Sequence, residues 1–271
     1  MKYCGLSYLF VALSLLGFTQ CAPKNYQSKQ ETCFLQEDSL LMMSYMQESQ
    51  NLVKKYAHNR DSLLLKNSEL LKHTIQKAQD LAIKFSATPS GLNRCYQFRM
   101  DISKETLGDI IFNLPRNLTK TDVAQAIKKH IKTDQLETGM PFYPIDAIGA
   151  NGKKIEWEDY KNKNILLIYG GMECMGTSGR NSLESLREGL SEDDLAIIIY
   201  YPVESLEELQ TLSAQFSHKY TFISELKTLF SPFEIKYGVR ETPTCFLIDR
   251  EGIVALKSKG FNKNQIKKVI K

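Results

Sequence analysis

Apolar residues recur at helical spacing in the first half of the chain. Six of them are separated by seven, four, three, four and three residues and so share one helix face: Leu64, Leu71, Ile75, Ala78, Ala82 and Phe85. The segment Thr88–Gly91, with its proline and glycine, predicts the end of that helix. Two further short helices are predicted over 102–113 and 121–131. We therefore expect a small all-helical domain over 38–136, preceded by a polar, unpatterned tether over 21–37.

The pattern changes to short apolar runs in the second half. Two continuous runs, 165–169 and 195–201, predict central strands that are buried on both faces. Four shorter strands and four helices are predicted around them. The strands are at 142–148, 221–224, 244–248 and 253–257, and the helices are at 182–190, 205–216, 226–237 and 262–270. The expected class is α/β, with a mixed sheet and helices on both faces over 137–271.

The N-terminus has the pattern of an export signal. Lys2 precedes an apolar run over 9–17 that is too short to span a bilayer, and Cys21 follows directly. We expect residues 1–20 to be removed and Cys21 to carry a lipid that anchors the protein to a membrane. An ordinary cleaved signal, with Cys21 incidental, is the alternative. Either way the expected location is the cell envelope, facing the periplasm or the exterior.

Composition excludes several classes of function. The formal net charge of +4 is too balanced to favour nucleic acid as a partner. None of the four histidines stands at zinc-ligand spacing from another ligand, and the chain has no Gly-rich phosphate loop, so we expect neither a metal nor a cofactor.

Six cysteines remain to be assigned. Cys4 leaves with the signal, and an oxidising compartment allows disulfides among Cys33, Cys95, Cys174 and Cys245. Four cysteines permit three pairings, which the sequence does not distinguish. A Cys33–Cys95 disulfide between tether and helical domain and two separate thiols are both open.

The C-terminal half resembles a known family on a set of short motifs: Gly139–Phe142 at the domain entry, Asn151–Lys153 in a hairpin, Trp157–Lys161 before the central strand, Cys174 after it, and Thr242–Thr244 leading into Phe246–Asp249. They are similar to those of the membrane-tethered thioredoxin-like proteins of the thiol-disulfide interchange type (TlpA/ResA-like, in the AhpC/TSA superfamily). The resemblance implies a thioredoxin-like fold, Cys174 as nucleophile at a helix start, and a cis Thr242–Pro243 bond beside it. It also implies that Thr242 and Pro243 guide an extended substrate peptide.

The chain departs from the family at the second active-site cysteine. Thr177 stands where the resolving cysteine of a Cys-x-x-Cys motif is usual, Glu173 replaces a tryptophan, and Ile168 replaces a buried acid. A helix N-terminus would favour the Cys174 thiolate, and the Thr177 hydroxyl could donate a hydrogen bond to it. A close Glu173 would oppose ionisation. Cys174 is therefore either a reactive thiol or a small residue that fills a former site.

Cys245 offers a second redox partner. It lies two residues after Pro243, so on a strand both side chains point to the same side. A Cys174–Cys245 pair could replace the missing motif, whereas a buried core cysteine is the plainer interpretation.

Three functions follow. The leading hypothesis is a membrane-anchored, single-cysteine thiol-disulfide oxidoreductase that acts on protein thiols or disulfides of the cell envelope. The second is a non-catalytic thioredoxin-fold module that binds peptides or partner proteins through the Thr242–Pro243 groove. The third is an adaptor whose helical domain is the functional part.

Overall fold

A computed structural model describes most of the chain after the N-terminal segment: residues 27–170, 172–191, 194–216, 220–228 and 230–270. The predictions for Cys4 and Cys21 lie outside this part. The described residues form two compact units, with the boundary between Lys132 and Thr133. Within the described residues, every helix is too short or too polar to cross a membrane.

The first unit consists of helices: α1 Gln27–Lys55, α2 Arg60–Lys84, α3 Pro89–Gln97, α4 Lys104–Phe112 and α5 Asp122–Lys132. Side-chain caps explain several of the starts. The Asn59 side chain accepts the N–H of Ser62 at the start of α2, and Ser103 accepts the N–H of Thr106 at the start of α4. Each bond satisfies a backbone donor that has no partner inside the helix.

Helix α1 begins at Gln27, before the predicted start at Asp38, so most of the predicted tether is helical. Contacts distant in sequence explain the difference. The Phe34 ring, 2% exposed, packs edge-on against Phe85 at 5.8 Å between centroids. The Glu31 carboxylate accepts the backbone N–H of Ser90 at 3.2 Å. A segment without a periodic pattern is thus stabilised by the residues it packs against.

The segment Thr88–Gly91 both ends α2 and starts α3, a helix that the pattern did not predict. The Thr88 hydroxyl accepts the N–H of Gly91 at 3.2 Å and donates to the carbonyl of Phe85 at 2.9 Å. A Cβ on Gly91 would lie 2.0 Å from that carbonyl oxygen, which only glycine avoids. The predicted stripe is also displaced at its start, because Leu64 is 56% exposed and Leu63 is buried.

The second unit alternates strands and helices: β1 Ile148–Gly149, a 3-10 helix Trp157–Tyr160, β2 Asn164–Tyr169, α6 Gly176–Glu188, β3 Leu195–Tyr200, α7 Leu206–Ser213, β4 Thr221–Ser224, α8 Pro232–Tyr237, β5 Thr244–Ile248, β6 Val254–Lys259 and α9 Lys263–Val269. The sheet order is β1-β4-β3-β2-β5-β6. Strands β2, β3 and β4 are parallel, whereas β1, β5 and β6 each pair antiparallel with a neighbour.

The predicted strand at 142–148 is reduced to the two residues of β1. A turn at Asn151–Gly152 does close a hairpin, since the N–H of Ile155 donates to the carbonyl of Ala147 at 2.9 Å. Phe142 instead packs its ring edge-on against Trp157 at 4.8 Å. Packing of this aromatic pair, together with a backbone hydrogen bond from the N–H of Phe142 to the carbonyl of Gly252 at 2.7 Å, orders the segment without a continuous strand.

Helices cover both faces of the sheet. One core contains Leu183 of α6, Leu209 of α7 and Ile266 of α9. The opposite core contains Phe233 and Tyr237 of α8, with Trp157 packed against it. A central parallel set of strands flanked by antiparallel β5 and β6, with helices on both faces, is the thioredoxin-like α/β fold that the sequence predicted.

Candidate functional site

Cys174 lies at the carboxyl end of two central parallel strands of the sheet. Strands β2 and β3 pair from Asn164 with Leu195 to Tyr169 with Tyr200, so the residues after them meet at one edge. Cys174 stands in the turn between β2 and α6 and is partly exposed. Helix α6 starts two residues later, without a side-chain hydrogen bond at its cap. The cysteine is therefore placed just before a helix start, as expected.

Thr242 contacts the thiol directly. The Thr242–Pro243 bond is cis, as the resemblance implied. The Thr242 hydroxyl donates to Cys174 Sγ at 3.9 Å, the long distance of a weak hydrogen bond to sulfur. The structure thus brings together Cys174, Thr242 and Pro243, residues 68 and 69 positions apart in the chain.

A glycine allows this approach. Gly170 has φ +54°, and a Cβ added to it would lie 3.0 Å from Thr242 Cγ2. The left-handed backbone and the close methyl group both favour glycine. Gly170 therefore holds open the space in which Thr242 reaches Sγ.

Glu173 is fixed by a tyrosine that the sequence analysis did not identify. The Tyr201 hydroxyl lies 3.1 and 3.0 Å from the two carboxylate oxygens of Glu173 and donates to them. Tyr201 is 6% exposed, whereas Glu173 is exposed. Burial is the first cause that raises the pKa of Tyr201, and the negative charge of Glu173 adds to it, so the hydroxyl keeps its proton for this bond.

Two other charged residues that are close to Thr242 or Cys174 in sequence, Glu241 and Arg180, each have a polar partner of their own. Glu241, one residue before Thr242, forms an ion pair with Lys259 at 3.0 Å. On α6, the Arg180 guanidinium donates to the carbonyl of Met172 at 3.3 Å. Glu173 has no ion-pair partner among the described residues. Its negative charge is the uncompensated one next to Cys174.

Thr177 makes no hydrogen bond with the thiol in this structure. Its side chain is exposed on the first turn of α6 and makes no hydrogen bond with another described residue. Ile168 is 0% exposed in the core beneath α6, so the position of the family's buried acid is apolar. The role of Thr177 beside the thiolate remains a prediction.

Cys245 is 0% exposed in the same core, on β5 opposite Ile168. Burial raises the pKa of its thiol to about 12. The cysteines described, at 33, 95, 174 and 245, are all in the thiol form, so neither proposed disulfide is formed. This burial is what the core interpretation of Cys245 expects.

Two of the site's residues could have been found from the sequence. Tyr201 ends the apolar run 195–201, and the ends of neighbouring parallel strands meet at one edge. Gly170 directly follows the run 165–169. Only the contacts to Glu173 and Thr242 needed the structure.

Among the described residues, no cluster of three histidine, cysteine or acidic side chains could hold a metal.

No family model and no curated protein matches the chain. Solved structures similar to it include the thioredoxin domain of a thiol-disulfide oxidoreductase from Bacteroides vulgatus, at 18% identity and a TM-score of 0.44, covering 51% of this chain and all of that one. A thiol-disulfide oxidoreductase from Bacteroides fragilis has 15% identity and a TM-score of 0.41, covering 49% and 98%. An exposed lipoprotein thioredoxin from Streptococcus pneumoniae has 21% identity and a TM-score of 0.38, covering 46% and 96%.

Proposed function

We propose that this protein is a thiol-disulfide oxidoreductase of the cell envelope that works with one cysteine. Cys174 is the nucleophile, Thr242 holds the thiol, and Thr242 with Pro243 positions the substrate backbone. The contact between Thr242 and Cys174 carries the proposal, because a cysteine that merely filled space would need neither partial exposure nor a hydroxyl on its sulfur.

The proposed reaction is a pair of exchanges that needs no cofactor. The Cys174 thiolate attacks one sulfur of a substrate disulfide; that disulfide breaks, and the other substrate sulfur leaves as a thiolate that takes a proton from water. Cys174 is then in a mixed disulfide. Because Thr177 replaces the resolving cysteine, an external thiolate must attack the substrate sulfur, which releases Cys174 and leaves the substrate joined to the external thiol.

Replacing Thr177 with cysteine tests this reaction. The T177C variant restores the Cys-x-x-Cys spacing at the start of α6 and should gain turnover on a generic disulfide. The wild type should instead accumulate a mixed disulfide at Cys174 that disappears on addition of an external thiol. Peptide mass spectrometry of oxidised protein, with a turnover assay, measures both.

Two control variants sharpen the result. Cys174→Ala should abolish the mixed disulfide, and Cys245→Ser should leave it intact if Cys245 is only a core residue. A Cys174 that resists alkylation in the native protein, together with an inactive T177C variant, would contradict the proposal. A Cys174–Cys245 disulfide in oxidised wild type would show instead that Cys245 is the second redox residue.

A binding module is the second candidate, supported by the backbone at Thr242. This residue is half-buried, and its N–H and C=O form no hydrogen bond with another described residue. Such a backbone can pair with an extended peptide. In that case Cys174→Ala would retain partner capture, while bulky changes at Thr242 or Thr244 would abolish it.

The same proposal places the protein at a membrane through a lipid on Cys21, outside the cytoplasm. The support is the apolar run over 9–17 followed by this cysteine. Protein thiols and disulfides of the envelope are then its partners.

A further inference from the structure

We propose that Glu173, held by Tyr201, makes the Cys174 site select its partners by charge. The selected class is thiols and disulfides that carry a positive charge near the reacting sulfur, such as basic peptide segments and cationic small thiols. The inference rests on the proposed function, because it concerns reaction at Cys174.

The carboxylate of Glu173 is held in one place beside Cys174. Glu173 precedes Cys174 directly, and the hydroxyl of Tyr201 lies within 3.1 Å of both its carboxylate oxygens. An exposed glutamate normally samples several rotamers, which spreads its charge over a wide volume. Bonded to the buried tyrosine that directly follows β3, this carboxylate is kept at the end of the sheet where Cys174 lies.

The negative charge of Glu173 is not compensated by a cation among the described residues, unlike that of Glu241. A carboxylate paired with a lysine presents little net charge to an arriving molecule, and Glu241 is in that condition because of Lys259. The Glu173 carboxylate accepts only a neutral hydroxyl among the described residues. The Arg180 guanidinium binds a backbone carbonyl, that of Met172, and stands on α6, six residues after Cys174. The residue directly before Cys174 therefore carries a negative charge that has no cationic partner among the described residues.

The size of the expected effect on the reaction rate follows from Coulomb's law. In water, a unit charge roughly 6 Å away changes the rate of a charged reactant about threefold, so a cationic and an anionic reactant should differ about tenfold at low ionic strength. Salt reduces this difference, because the Debye length is about 10 Å at 0.1 M and about 3 Å at 1 M. The selection is therefore modest and should be strongly salt-dependent.

The test compares three methanethiosulfonates that differ in charge: one with a trimethylammonium group, one neutral and one with a sulfonate. In each case the Cys174 thiolate attacks the sulfenyl sulfur, the sulfur–sulfur bond breaks, and methanesulfinate leaves. Rates at the Cys174 peptide of the full-length protein are followed by mass spectrometry. Each rate is divided by the rate of the same reagent with 2-mercaptoethanol, because a free thiolate also carries a negative charge and also reacts faster with a cationic reagent. The normalised ratio of the cationic to the anionic reagent is independent of the ionisation of Cys174, which affects all three reagents equally.

The normalised ratio of the wild type should be about ten at low ionic strength and should approach one at 1 M salt. Glu173→Gln keeps an acceptor for Tyr201 but removes the charge, so its ratio should approach one at any salt concentration. Tyr201→Phe releases the carboxylate and should give an intermediate ratio. Arg180→Gln should raise the ratio.

Glu251→Gln is the matched control. Glu251 is also exposed, but it lies in the turn after β5. Strand β5 is roughly 16 Å long, and the site is at its other end. Its ratio should equal that of the wild type. A wild-type ratio near or below one, or an unchanged ratio in Glu173→Gln, overturns the inference and leaves the proposed function standing. A Cys174 that reacts with none of the reagents overturns both.

Discussion

At the scale of single residues, the site depends on how one threonine is placed. The methyl group of Thr242 faces Gly170, and its hydroxyl faces Cys174, so the side chain fills the gap between the end of β2 and the turn that carries the thiol. Its rotamer is set by packing on one side and by a weak hydrogen bond on the other. A change at Gly170 should therefore be transmitted to the thiol.

Gly170→Ala is expected to destabilise the protein and to alter the thiol. The φ of +54° costs about 1–2 kcal/mol for a residue with a Cβ. The contact with Thr242 Cγ2 at 3.0 Å should add about 1–2 kcal/mol of overpacking and move the hydroxyl away from Sγ. Urea unfolding followed by Trp157 fluorescence measures the first effect, and the alkylation rate of Cys174 measures the second.

The Gly252→Ala variant distinguishes the cost of backbone strain from the cost of the contact with Thr242. Gly252 also has a positive φ, +79°, but a Cβ there would meet nothing within 4 Å. This variant should pay only the backbone cost and leave the alkylation rate unchanged. Equal losses of stability in the two variants, with unaltered alkylation in both, would contradict the role given to Gly170.

At the scale of elements, α5 carries a buried histidine whose ionisation opposes folding. His130 is 2% exposed. Burial, aided by the positive charges of Arg99 and Lys104, lowers the pKa of His130 to about 4. A backbone hydrogen bond with Arg99 acts weakly in the opposite direction. In the folded helical unit the imidazole therefore stays neutral over most of the mildly acidic range.

The stability of the helical unit should consequently fall as the pH is lowered from about 6.5 to about 4. In that window the unfolded chain binds a proton at His130 and the folded unit does not, so acid favours unfolding by up to about 3 kcal/mol. His130→Gln, which cannot titrate, should be less stable at pH 7 but should lose less stability on acidification. Urea unfolding followed by far-ultraviolet circular dichroism at several pH values measures this slope.

The controls for this slope lie in the same chain. His73 is exposed on α2, so His73→Gln should retain the wild-type slope. The only tryptophan, Trp157, belongs to the other unit and reports on that unit separately. An identical slope in wild type and His130→Gln would show that other groups determine the acid sensitivity.

At the scale of the whole molecule, the sequence pattern predicted those elements whose own residues determine them. Strand β4 was predicted at its observed ends, and β2 and β3 within one residue, because continuous apolar runs can be buried only in the middle of a sheet. The early start of α1 and the existence of α3 depend on contacts with distant residues, such as Phe34 with Phe85. The same holds for Tyr201 with Glu173, which no periodicity encodes.

The N-terminal prediction concerns where the whole molecule is found. If Cys21 carries the lipid, Cys21→Ser should move the protein from the membrane fraction to the soluble fraction, because the lipid is the proposed attachment to the membrane. Labelled fatty acid should attach to the wild type and not to the variant. A variant that remains with the membranes, and a wild type that never takes up label, would contradict the anchor.

The two edges of the sheet bear on how the protein behaves at high concentration. Strand β1 is only two residues long, which gives a second molecule almost no backbone on which to pair. On the opposite edge, the N–H of Gly139 already donates to the carbonyl of Val254 at 2.8 Å, and the N–H of Val254 donates to Met140 at 2.9 Å. Further along β6, Lys257 and Lys259 place charges on the remaining edge. One edge strand is too short for pairing, and the other is covered and charged. The sheet should therefore not grow by edge-to-edge aggregation in a crowded compartment.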